Sequence, residues 1–323
     1  MLTEVMAHYG LTRDLRGAGY FETEYHRQIA REIRAAILVG QLVAVTGVVG
    51  CGKTVMLRRF QEDLAQEGKV IVSRSLSVEK SRATLQTLIT ALFYDLSNEQ
   101  EVKIPPQGEE RERELQQLIR RKRKPIALFV DEAHDLPVKT LVELKRLMEV
   151  AADVAGLLSI VLIGHPKLHN ALRRSTLEEI GSRTAVLPFD GLAGQQADYI
   201  RWLLGACAAE GATVDSLITD PAVALLAERL LTPLQIEQHL ILAFEEGFRV
   251  GERPVSAEVI ENTLARDLND LEPQLTRHGY SVRALAEQFS ARPAEIRQLF
   301  RGDLNAARTQ ELSERMRKAG LPI

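Results

Sequence analysis

Eight residues constrain this chain more than any others: Gly47-Val-Val-Gly-Cys-Gly-Lys-Thr54. They follow the pattern G-x-x-x-x-G-K-[ST], a loop that wraps its backbone around phosphate. Leu42-Val-Ala-Val45 ahead of the loop reads as a short buried strand. Val55-Met-Leu-Arg-Arg-Phe-Gln-Glu-Asp-Leu64 behind it reads as an amphipathic helix. Gly47, Gly50 and Gly52 let the backbone approach an anion without Cβ clashes. The loop N–H groups, through Val48, Val49 and Cys51, and the helix N-terminus at Val55 point at that anion. Lys53 reaches the β- and γ-phosphates, and the Thr54 hydroxyl joins a Mg²⁺ shell. The rival reading, a glycine turn that matches by chance, does not account for the strand and helix on either side.

A second motif lies downstream. Pro125 stops a charged helix, and Ile126-Ala-Leu-Phe-Val-Asp-Glu132 is a buried strand that ends in two acids. Adjacent carboxylates at a strand tip repel each other and call for a cation. Asp131 is placed to hold Mg²⁺ with Thr54, and Glu132 to orient and deprotonate an attacking water. Two further strands follow, Leu157–Ile163 and Ala185–Pro188. His165, at the tip of the first, is either a γ-phosphate sensor or a structural histidine. Arg183, just before the second, is placed to reach the γ-phosphate of a neighbouring subunit. Arg173 and Arg174 are rivals for that role, and all three also fit surface ion pairs.

Composition narrows the class. A chain of 323 residues with 45% apolar and 26% charged residues is long enough for two or three globular domains. The net charge of −3 supplies no global field for nucleic acid, so any such surface is local. No apolar run reaches the length of a membrane span, and Met1–Gly10 lacks the features of a signal peptide. Cys51 and Cys207 alone make no disulfide framework. A cytoplasmic location without membrane contact is expected.

Four parts are expected along the chain. Residues 1–40 are a helical segment in which Tyr20 and Phe21 either pack on a purine or anchor the core. Residues 41–190 are the α/β nucleotide-binding domain. Its most basic run, Arg120-Arg-Lys-Arg-Lys124, is either a solvated helix end or a nucleic-acid contact. Residues 191–270 are a lid of four helices, about Gln195–Glu210, Pro221–Leu231, Pro233–Val250 and Ser256–Leu268. Residues 271–323 contain Ser281–Arg301, which reads as a helix-turn-helix. Leu285, Ala286, Phe289, Ile296, Leu299 and Phe300 face inward there, and Arg292, Arg297 and Arg301 outward. Ordinary helical hairpins share that pattern.

From about Tyr20 to Asp270, the two motifs, the strand tip at Gly164, Arg183 and the helical lid resemble AAA+ ATPases. Such a resemblance implies a three-layer P-loop fold with a parallel sheet in the order 5-1-4-3-2, and ATP with Mg²⁺ as ligands. Tyr20-Phe-Glu-Thr-Glu-Tyr-His26, Val45–Thr54 and Asp131-Glu-Ala-His-Asp-Leu136 are similar to two kinds of relative: ExeA-type ATPases of secretion, and transposition helpers of the TniB, TnsC and MuB kind. The second likeness implies an ATP-dependent homo-oligomer, ring or helical filament, that assembles on double-stranded DNA and recruits a transposase. The alternatives are an assembly factor for a secretion machine and a nucleotide-regulated helix-turn-helix regulator. Ser182-Arg183 resembles the finger motif of clamp-loader relatives. One departure stands out: Leu231-Thr-Pro-Leu-Gln-Ile236 carries no arginine where many such lids place a second sensor. That departure implies either slow turnover, which suits a switch, or a contact supplied from elsewhere.

Overall fold

The computed structural model describes residues 1–75, 83–97, 104–106, 108–264 and 270–323. Half of the expected Glu101–Gly108 connection, and the last lid helix beyond Leu264, lie outside these. Contacts gather the chain into two units that are not continuous in sequence. One comprises Met1–His26, Val49–Gly52 and Asp190–Thr276; the other comprises Arg27–Val48, Lys53–Phe189 and Arg277–Ile323.

The second unit is built on five parallel strands: β1 Leu42–Thr46, β2 Ile71–Arg74, β3 Ile126–Val130, β4 Leu158–Gly164 and β5 Thr184–Pro188. Their spatial order is β2-β3-β4-β1-β5, the order that the AAA+ resemblance implies. The three central strands β3, β4 and β1 are buried along their whole length. That is why they read as unbroken apolar runs without alternation. The flanking strands β2 and β5 are half-buried. Two serines inside the sheet are paired: Ser159 donates to the Ile37 carbonyl at 3.0 Å, and Ser73 to Asp95 at 2.7 Å. Helices Leu85–Leu96 and Val138–Ala152 bury leucine-rich faces in the same core. Thr84 caps the first of them in a capping box with Thr87.

The helix-turn-helix expectation meets a matching pair in this unit, Val282–Phe289 and Pro293–Arg301. Ser281 caps the first helix, Ser290 turns the chain in the left-handed region, and Pro293 opens the second. Leu285, Ala286, Phe289, Ile296 and Leu299 are buried, Phe300 is half-buried, and Arg292, Arg297 and Arg301 are exposed. A third helix, Ala306–Lys318, adds Leu312 and Met316 to this small core.

The first unit is helical. It contains Thr3–Tyr9, Gln196–Cys207, Asp220–Arg229, Pro233–Val250 and Ala257–Thr263 around a core that includes Tyr9, Leu203 and Phe244. The four lid helices start within a residue or so of their expected positions, because Pro233 and the caps Thr232 and Ser256 mark the starts. Phe21 packs against Tyr199 and Trp202, and the Tyr20 hydroxyl pairs with His26 Nδ1 at 3.0 Å. Both aromatics therefore anchor protein here.

Candidate nucleotide site

The loop between β1 and helix Lys53–Glu67 starts at the C-terminal edge of the sheet. Lys53 is 7% exposed, and its ammonium donates to the carbonyls of Gly47 at 2.6 Å and Val48 at 2.9 Å. A buried charge is tolerable only with such partners. It stands beside the loop whose N–H groups suit a phosphate, at the start of a helix of 15 residues. Thr54 Oγ1 donates to Asp131 Oδ2 at 3.4 Å, so the two side chains expected to share Mg²⁺ meet. They are hard oxygen donors of the kind that Mg²⁺ takes. Val55 follows with its side chain largely exposed.

Glu132 occupies the left-handed region with φ 52°. A non-glycine residue there is uncommon and costs on the order of 1 kcal/mol. Its N–H donates to Asp131 Oδ1 at 2.9 Å. Behind it, His134 and His165 stack with centroids 3.9 Å apart and planes 27° from parallel. His165 Nε2 lies 3.9 Å from Glu132 Oε2. Burial pushes the His165 pKa down to about 3, helped by the neighbouring His134 and by the positive charges of Lys53 and Lys167. Burial lowers His134 too, against the pull of Asp135 and Asp131. Both rings are neutral at pH 7.

Within the first unit, Val49–Gly52 meet the lid residues. A Cβ on Gly50, whose φ is +79°, would lie 2.7 Å from Leu234 Cβ. The Leu234 N–H also donates to the Gly50 carbonyl at 3.3 Å. Gly191 approaches Cys51 as tightly, with a Cβ there 2.5 Å from the Cys51 carbonyl oxygen. In the stretch without an arginine, an apolar leucine therefore touches the loop.

Arg183 is not brought to these groups. It precedes Thr184, which pairs with Leu42 at the far end of β1. The four-residue step from Leu42 to Thr46 spans about 13 Å, beyond the reach of an arginine side chain to its own loop. It is exposed, beside a cleft of about 600 Å³ that Lys145, Glu149 and Leu157 also line.

Residues 39–172 match the AAA domain family. The chain carries an AAA domain. A Mu-like prophage DNA transposition protein B of Haemophilus influenzae is 30% identical over 156 residues, which is 48% of this chain and 48% of that protein. General secretion pathway protein A of Aeromonas hydrophila is 29% identical over 219 residues, 64% of this chain and 38% of that protein. The matches thus span half or less of these relatives' own lengths. Among solved structures, Cdc6p of Pyrobaculum aerophilum superposes with a TM-score of 0.53 at 15% identity, over 98% of this chain and 90% of that one. RuvB of Thermotoga maritima gives 0.50 at 16% identity over 86% of each. These two likenesses concern the fold. Among the described residues, no helix is long and apolar enough to cross a membrane.

The AAA domain is also where the C-terminal helices attach. His165 caps helix Pro166–Leu172, and in that helix Lys167 N–H donates to the His278 carbonyl at 3.2 Å. Asn170 donates to the Tyr280 hydroxyl at 2.7 Å and to the Gly320 carbonyl at 3.1 Å. Between these contacts sits Gly279, φ +91°, where a Cβ would lie 2.8 Å from His165 Nδ1. Nothing local in the sequence signalled that contact. Gly279→Ala is expected to lower stability by about 1–3 kcal/mol in urea unfolding. Gly302→Ala, also at positive φ (+74°) but with nothing within 4 Å, carries the backbone strain without the clash. Equal losses in the two variants would show that His165 does not feel residue 279.

Proposed function

We propose that this protein binds ATP with Mg²⁺, assembles on double-stranded DNA as an ATP-dependent homo-oligomer, and acts as a transposition helper that recruits a transposase. The observation that carries the ATP reading is the convergence of Lys53, Thr54, Asp131 and Glu132 at one sheet edge. In this reading Gly47–Val55 and Asp131 hold the nucleotide, with Thr54 and Asp131 on Mg²⁺. Glu132 activates water, and His165 senses the γ-phosphate. Residues 41–190 are the nucleotide-binding part, 191–270 the lid and 271–323 a module for DNA or protein. The DNA reading draws support from a relative named for DNA transposition and from the exposed Arg292, Arg297 and Arg301. Leu234, in place of a basic lid residue at the loop, favours slow turnover suited to a switch.

A second reading, an ATP-dependent assembly factor for a secretion machine, draws on the longer match to general secretion pathway protein A. One experiment separates them. Sedimentation and electron microscopy with ATP, Mg²⁺ and duplex DNA should give rings or filaments, and omission of ATP should leave single particles. DNA affinity should fall steeply with salt, because phosphate contacts release counterions. Single particles in the full mixture would overturn the helper reading.

A further inference from the structure

Three metal-ligating side chains, one of them Glu132, converge at the tips of β3 and β4. His134 Nδ1 lies 3.2 Å from Glu132 Oε2, and His165 Nε2 lies 3.9 Å from the same oxygen. Each of the three lies within 4.8 Å of the others. We propose that Glu132, His134 and His165 form a Zn²⁺ site, and that the bound ion halts hydrolysis by engaging Glu132. The halting step rests on the reading of Glu132 as the base; the binding step does not.

Two imidazoles and one carboxylate are a donor set that Zn²⁺ takes, with its fourth position left to water. Mg²⁺ prefers oxygen ligands alone, so it stays with Thr54 and Asp131. The His134 side chain is 7% exposed, and although Glu132 Oε2 lies 3.2 Å from its Nδ1, no group among the described residues is aligned to hydrogen-bond that nitrogen. A buried polar atom left without a partner is costly, and a metal bond satisfies it. The other nitrogen, Nε2, lies 3.6 Å from Asp135 Oδ1. A carboxylate behind an imidazole is the arrangement that orients a metal-bound histidine. Around the two rings Asp131, Glu132 and Asp135 attract a cation, against the ammonium groups of Lys53 and Lys167. The Glu132 side chain is 50% exposed, which leaves an entry path.

Engagement has two consequences. A carboxylate oxygen bonded to Zn²⁺ no longer accepts a proton from water, so ATP stays bound and uncleaved. The stacked rings must also splay to aim at one ion. Zinc would then hold the protein in its ATP-bound form.

The test uses the full chain, stripped of metal and kept in saturating Mg²⁺. Zn²⁺ is titrated against a chromogenic chelator, with unfolding midpoints to confirm the fold of each variant. One Zn²⁺ per chain is expected, with affinity lowered about tenfold or more in His134→Gln and in His165→Gln. His169→Gln, outside the cluster, should bind as the unaltered chain does. Retained affinity in both glutamine variants, or uptake without stoichiometry, overturns the site. Should those variants fold poorly, Co²⁺ absorption of the unaltered chain decides: intense tetrahedral bands support the site, and a weak octahedral spectrum sinks it. Glu132→Gln separates the two steps. It is expected to bind ATP but hydrolyse it about 10²–10⁴-fold more slowly. Normal hydrolysis in that variant removes the halting step, and the chelator titration still judges the site.

Discussion

Lys53→Ala should lose ATP affinity by about two to three orders of magnitude, the size of effect that follows removal of one partner of a buried charge pair. The ammonium is held by Gly47 and Val48 carbonyls and shielded from water, so its charge acts at low dielectric on whatever anion the loop receives. Alanine also leaves two loop carbonyls without their donor. They can turn inward, where they repel phosphate. The loss should therefore exceed that from deleting an exposed lysine such as Lys139, which pairs with Glu143 at 3.9 Å. Calorimetry with ATP and Mg²⁺ measures this, with melting curves to show that the variant folds. Affinity close to that of the unaltered chain would remove Lys53 from phosphate binding.

The sequence exposed some features of this protein and hid others, for physical reasons. Central strands buried on both faces leave apolar runs, so Leu42–Thr46, Ile126–Val130 and Leu158–Gly164 were visible. The phosphate loop and the acidic strand tip were visible because their chemistry demands particular residues at fixed spacing. Helix Pro166–Leu172 was missed because a seven-residue piece that buries only Leu168 and Leu172 has almost no period to detect. Ala306–Lys318 buries only Leu312 and Met316 and reads as a polar tail. The grouping of Met1–His26 with Asp190–Thr276 has no local signature. It arises from tertiary contacts such as the Tyr9 hydroxyl donating to the Glu252 carbonyl at 2.7 Å. The His134–His165 stack was hidden for the same reason. Each residue was visible at its own strand tip, but only the pairing of β3 with β4 makes the tips neighbours.

Arg183→Ala should slow ATP hydrolysis by about 10³–10⁵-fold while leaving ATP binding intact. The register of β5 on β1 is the reason to expect both halves of that result. Arg183 lies at the end of the sheet opposite its own loop, so it adds nothing to the affinity of that loop. In the proposed oligomer, a positive charge there would act on the transition state of a neighbouring copy. Mixing provides the decisive measurement. A Lys53→Ala chain does not hold ATP but retains Arg183, and an Arg183→Ala chain holds ATP but lacks the arginine. Neither should turn over alone, and together they should recover a fraction of the activity that rises with the share of mixed neighbours. Recovery requires that the variants assemble with each other, which sedimentation checks on the same samples. Assembly without recovery would exclude Arg183 and direct attention to Arg173 and Arg174, which follow helix Pro166–Leu172. Full activity of Arg183→Ala alone would mean that hydrolysis is completed within one chain, and the oligomer would then have to serve DNA rather than chemistry.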